Sequence, residues 1–264
     1  MMLTLSWSAV CGGIHLQVKK LSKSIPIICV CVTERSMCCH GDDVIRSIIV
    51  DFLHFPGENL RSDFLKLTPF QQVPVLEDNG FILTESVAIA KYVVRWPNVP
   101  EHWYPQDTRT QARVDEFLSW QHMGFRPMCG LITVLEGILP AITGCPVPTK
   151  RIEAMVSHLE GSLCLFKNYF LAGKPFLCGQ QPSLADIFAY SDIQQPLTVG
   201  RDILRNHKDL QAWRDRLESA LGASVVQEAN GKILRGTEAL QMLEESEKKA
   251  LANRLQAKLS LLAG

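Results

Sequence analysis

Hydrophobic and polar residues change their spacing once along this chain, near residue 97. Before that point the apolar residues come in short runs broken by proline, glycine and asparagine. Ser47 to Leu53 is a compact β-branched run and predicts a strand. Ser24 to Thr33 predicts another by the same composition. Val73 to Leu76 and Phe81 to Leu83 flank Asn79-Gly80, the strongest short-range signal for a β-hairpin. Thr84 to Val94 then carries apolar residues at helical spacing behind a Thr-Glu-Ser start, which predicts a helix.

The stretch Trp96 to Asp107 has three prolines and no period, and predicts a linker. Beyond it the period is helical. Thr110 to Met123, Lys150 to Phe170, Ser183 to Tyr190, His207 to Leu221 and Glu238 to Leu262 predict helices of an all-α half. The organisation expected is therefore a small α/β domain over 1–97, with 1–46 divergent, and an all-α domain over 106–264.

Composition narrows the classes of function. The 264 residues carry 27 basic and 27 acidic side chains, so no basic field exists to hold a nucleic acid. No uninterrupted apolar run reaches the ~18 residues that cross a bilayer, so no membrane-spanning helix is expected. Nine cysteines, an odd number without framework spacing, predict free thiols and a cytoplasmic setting. Cys29, Cys31, Cys38, Cys39 and His40 have no zinc-knuckle spacing, and no metal site is expected from them. Alternate cysteines in an apolar strand pack as small hydrophobes.

Two segments carry candidate chemistry. A proline at the head of an edge strand, as in Val73-Pro74-Val75-Leu76, either just starts the strand or turns the backbone of Val73 outward to pair with an extended peptide. Thr84-Glu85-Ser86 opens a helix. It is either an ordinary cap or an anion site in which Ser86 holds a carboxylate while Glu85 holds an ammonium. Ser183 and Asp186 form a capping box whose loss is expected to cost about 1–2 kcal/mol.

Taken together, VPVL, the hairpin and TES resemble the glutathione-site half of the thioredoxin-like domain in glutathione transferases. The runs FILTESVAIAKY, HWYPQDTRTQARVDEFLSWQH, KPFL and GQQPSLAD are similar to the theta class. The resemblance covers roughly residues 48 to 230. It implies a thioredoxin-like α/β domain joined to an all-α domain, a homodimer, and glutathione as cosubstrate with no further cofactor. It implies attack of the glutathione thiolate on a small hydrophobic electrophile such as a halide or sulfate ester. Val73 and Pro74 would then face the cysteinyl part of glutathione, and Glu85 and Ser86 the γ-glutamyl end. Gln72 and Asn59 stand where theta enzymes carry a basic residue and a histidine near the glycyl carboxylate. A charge-assisted hydrogen bond is worth about 1.5–3 kcal/mol, so weaker glutathione binding is expected. Trp120, Met123 and Arg126 would line the electrophile pocket. Arg126, followed by Pro127 at an expected helix break, is alternatively a surface residue capping carbonyls.

The family's thiolate-stabilising serine is not found. Ser36 lies too close to Val50 for the intervening helix and strand, and Ser8 lies too far. The catalytic residue is therefore unknown from sequence. Two other functions remain open: a binding or dimerisation protein on a transferase scaffold, and a thiol-disulfide enzyme using Cys29, Cys31, Cys38 or Cys39.

Overall fold

The computed structural model describes residues 45–48, 62–70, 72, 74–78, 80–97, 99–227, 229, 230, 240 and 243–260. The expected strand at 24–33, the N-terminal serines and cysteines, Asn59 and Val73 lie outside the described residues.

Three antiparallel strands form one sheet in the order β1-β2-β3, with β1 at Ile45–Ile48, β2 at Val75–Asp78 and β3 at Phe81–Thr84. The first strand starts at Ile45, two residues ahead of the expected run Ser47 to Leu53, of which residues 49–53 lie outside the described residues; its register pairs Ile48 with Val75 and Ile45 with Asp78. The β2–β3 hairpin pairs Val75 with Thr84 and Asp78 with Phe81. Its turn needs a left-handed residue, supplied by Gly80 at φ 86°. Helix α1 (Ser62–Leu65) lays Phe64 on Val75. Helix α2 (Ser86–Val93) packs Ile89 and Val93 on Leu76. The two core-facing residues of β2 thus hold one helix each.

The linker contains one 3-10 turn, Glu101–Trp103, pinned by a 2.7 Å hydrogen bond between His102 Nδ1 and the Pro182 carbonyl. Helix α3 (Thr108–Met123) starts at Asp107, whose carboxylate accepts from Thr110 N at 2.9 Å. The α2–α3 joint is polar: Asp115 takes Lys91 Nζ at 2.8 Å and the Tyr104 hydroxyl at 3.0 Å. Lys91 and Arg95 both stand over the Tyr104 ring.

After Gly124 the chain continues as α4 (Phe125–Thr133), a π-helical turn (Val134–Ile138) and α5 (Leu139–Thr143). The expected helix break at Pro127 is instead at Gly124, and Pro127 sits in the first turn of α4, where no intrahelical N–H is required. By length and composition alone Thr108–Thr143 is long and apolar enough to cross a membrane, a test that core helices also pass, and 56% of its apolar window is buried inside the molecule. Helix α4 is the centre of the helical half, packed between α6 (Thr149–Leu165) and α7 (Leu184–Leu197). A second π-helical stretch (Phe166–Leu171) ends α6. Helices α8 (Lys208–Leu221) and α9 (Glu245–Ser260) follow, the latter shorter than Glu238 to Leu262. Phe117, Phe125, Phe166, Phe188, Tyr190 and Trp213 form the fully buried aromatic core.

Gly137 in the π-helical turn lets the α7–α8 connection approach. A Cβ there would lie 2.1 Å from Val199 Cγ1. Gly137→Ala is expected to lower stability by about 1–3 kcal/mol through overpacking, measured by urea denaturation.

Candidate functional site

The register that pairs Val75 with Thr84 sets the geometry of the site. It places the residues flanking that pair, Pro74 on one strand and Glu85 on the other, at the same end of the hairpin. Gln72 and Pro74 are half-buried there. Two segments read separately in the sequence therefore converge on one edge of the molecule.

Glu85 has φ 69° and ψ 114°, a left-handed backbone that a residue with a Cβ adopts at a cost of about 1–3 kcal/mol. Its carbonyl accepts from Ile89 N at 2.9 Å, so the strained residue is tied into the first turn of α2. Its side chain makes no capping hydrogen bond and is exposed. The first turn of α2 holds no acidic residue, and Lys91 occupies its last turn. The capping reading of Thr-Glu-Ser is thus not what the geometry shows at Glu85. The strain holds an exposed carboxylate beside a helix start that has no side-chain capping hydrogen bond, the arrangement that suits a group carrying both an ammonium and a carboxylate.

His122, in the last turn of α3, was not singled out by sequence reasoning. Burial lowers its pKa, the Arg126 charge lowers it further, and Glu85 opposes both. The imidazole therefore lies within electrostatic reach of Glu85 and connects the hairpin end to the helical half. Its four-residue spacing from Arg126 was the available signal.

The three expected pocket residues point in three directions. Met123 is 53% exposed. Trp120 is packed on the aromatic core, stacked on Phe125 at 6.0 Å and tilted on Phe170 at 4.7 Å. Arg126 turns inward: its Nε donates to Asp192 Oδ1 at 3.1 Å, and its guanidinium lies 5.2 Å from the Phe188 ring centroid. Its side chain is 11% exposed and that of Asp192 is fully buried. Arg126 is thus neither a surface residue nor a carbonyl cap; it is half of a buried ion pair between α4 and α7.

Two thiols of the helical half, Cys129 and Cys178, are held protonated by their surroundings. Burial pushes the Cys178 thiol up to about 12, helped by the Asp186 charge, and raises Cys129 likewise. Neither has the electropositive, accessible setting of a reactive thiolate.

Two family models match the chain: the N-terminal domain of glutathione S-transferases over residues 49–95, and the C-terminal domain of the same family over residues 149–220. Glutathione S-transferase theta-1 of Bos taurus is 40% identical over 179 residues, 68% of this chain and 75% of that protein. Glutathione S-transferase theta-3 of Mus musculus is 35% identical over 195 residues, 74% of this chain and 81% of that protein. The chain belongs to the theta-class glutathione S-transferases. Its fold agrees: the apo structure of human glutathione S-transferase T1-1 superposes with a TM-score of 0.72 at 35% identity, covering 79% of this chain and 86% of that one. Human glutathione transferase theta-2, solved in complex with glutathione and an unknown ligand, gives a TM-score of 0.68 at 34% identity, covering 76% and 84%. The molecule is thus a glutathione S-transferase with a thioredoxin-like α/β N-terminal domain followed by an all-α C-terminal domain.

Proposed function

We propose that this glutathione S-transferase holds glutathione at the hairpin end and transfers its sulfur to small hydrophobic electrophiles, halides or sulfate esters. The observation that carries the reading is the strained Glu85, held with an exposed carboxylate next to Ser86 at the hairpin end that also carries Pro74. In this assignment Glu85 takes the γ-glutamyl ammonium, Ser86 its carboxylate, and Val73 with Pro74 the cysteinyl backbone. Gln72 and Asn59 face the glycyl end. The electrophile enters beside the exposed Met123 and the half-buried Trp120, on a surface to which Arg126 contributes no free charge. The proposed domains are 1–97 and 106–264, the protein is taken as a cytoplasmic homodimer, and glutathione is cosubstrate with no other cofactor. The group that stabilises the thiolate is not among the residues assigned.

Ser86→Ala is expected to raise the KM for glutathione by about tenfold, and Glu85→Gln by a similar factor, because each removes one charge-assisted contact. Steady-state kinetics with a small alkyl halide tests this. Unchanged KM in both variants would place glutathione elsewhere. The second reading is a binding protein without turnover, favoured by the inward turn of Arg126. Retention on immobilised glutathione with no conjugation of halides would establish it.

A further inference from the structure

Two pairs of residues fix how α2 lies along α3. Lys91, in the last turn of α2, reaches Asp115 of α3 at 2.8 Å. Glu85, at the head of α2, acts on His122, in the last turn of α3. At a rise of about 1.5 Å per residue, Lys91 stands about 9 Å beyond Glu85 on α2, and His122 about 10 Å beyond Asp115 on α3. The two separations match and run in opposite senses, so the helices lie side by side and antiparallel. Ala90 and Val94 of α2 share one apolar cluster with Val114 and Leu118 of α3, which holds that arrangement. Asp115 and His122 are about two turns apart and lie on one stripe of α3. His122 is thereby set beside the head of α2, where the glutathione site is proposed.

The ring is half-buried. Among the described residues two charges act on it, one from each flanking element. Arg126 of α4, itself held by Asp192 of α7 at 3.1 Å, disfavours the imidazolium, and Glu85 favours it. On its own helix Asp115 is held by Lys91. Burial is the largest influence and acts with Arg126, so the ring titrates below its ordinary value of about 6.5. It is neutral at about pH 7.5 and gains its proton in more acid solution, where a cation then stands beside the exposed Glu85 carboxylate.

We infer that His122 is a pH-dependent positioning residue for the glutathione site: neutral, it leaves Glu85 to the γ-glutamyl ammonium, and protonated, it competes with that ammonium for the Glu85 carboxylate. The inference rests on the assignment of the ammonium to Glu85. The test titrates the full chain with S-methylglutathione, which keeps the γ-glutamyl end and has no thiol to ionise, by calorimetry at about pH 7.5 and about pH 5. The unaltered chain is expected to bind about fivefold more weakly at the lower pH, the scale of one partly solvated charge pair. His122→Gln is expected to lose most of that difference. His122→Lys, a cation at both pH values, is expected to bind weakly at both. By reciprocity, binding at about pH 6 is expected to expel a proton from His122, read as a buffer-dependent heat in the unaltered chain that is absent from His122→Gln. Circular dichroism checks the fold of both variants, and the buffer-dependent heat of the unaltered chain needs neither of them. An acid weakening that survives in His122→Gln, tight binding by His122→Lys at about pH 7.5, or no proton release overturns the inference. Glu85→Gln binding as tightly as the unaltered chain at about pH 7.5 overturns instead the assignment on which it rests.

Discussion

Replacing Asp186 by alanine is expected to lower stability by about 4 kcal/mol, more than any cap alone provides. The carboxylate is fully buried and serves four donors. It accepts from Leu177 N and Ser183 N at 2.9 Å, from the Ser183 hydroxyl at 3.0 Å and from Trp213 Nε1 at 2.8 Å. Burial raises its pKa while these hydrogen bonds pull it down, so the charge is tolerated only because every donor is in place. Without the carboxylate three buried N–H groups from three parts of the helical domain lose their acceptor, at about 1–3 kcal/mol each. Some of this returns through water or local relaxation, which is why the expected loss is smaller than the sum. Urea denaturation followed by circular dichroism measures it. Asp186→Asn keeps one acceptor oxygen and is expected to lose about half as much. A loss for Asp186→Ala no larger than about 1.5 kcal/mol would reduce the residue to an ordinary helix cap.

The same residue shows how far the sequence reaches. Ser183 and Asp186 three positions apart announce a capping box, because both groups belong to one helix turn. Trp213 and Leu177 cannot be read from that spacing, so the cap-only expectation of about 1–2 kcal/mol leaves their hydrogen bonds out. The hairpin was legible for the corresponding reason: Gly80 and the flanking alternation are local, and register follows from the turn. The helical run from Phe125 to Thr143 was not legible. It is apolar on nearly every face, holds Pro127, Gly130, Gly137 and Pro140, and is held by packing of α4 on α6 and α7 and of α5 on α9. At the site, the segments around Pro74 and Glu85 were visible as motifs, but the strain at Glu85 depends on backbone geometry that no residue type announces. A glycine there would have signalled it.

Arg126 is the clearest case of a role set by a distant partner. Asp192 stands 66 residues away and is fully buried, so the spacing of Arg126 from Pro127 carried no information about it. Arg126→Met is expected to cost about 3–5 kcal/mol, because it removes the Arg126 charge from a carboxylate buried inside the helical domain. The cost belongs to the buried carboxylate that remains and not to the attraction itself. The double change Arg126→Met with Asp192→Leu is therefore expected to recover most of the loss, as replacement of buried pairs by apolar groups often does. Gln195 Nε2, 3.4 Å from the same carboxylate oxygen, gives the single variant only partial relief. Urea denaturation of both variants, with KM and kcat for a small sulfate ester, separates the two roles open to this arginine. Loss of stability that the second change restores, with turnover returning alongside it, identifies Arg126 as a positioning residue that fixes α4 against α7 behind Trp120. Wild-type stability with abolished turnover in the single variant would instead place its guanidinium on the electrophile. That outcome would require the 3.1 Å bond to Asp192 to break when substrate enters.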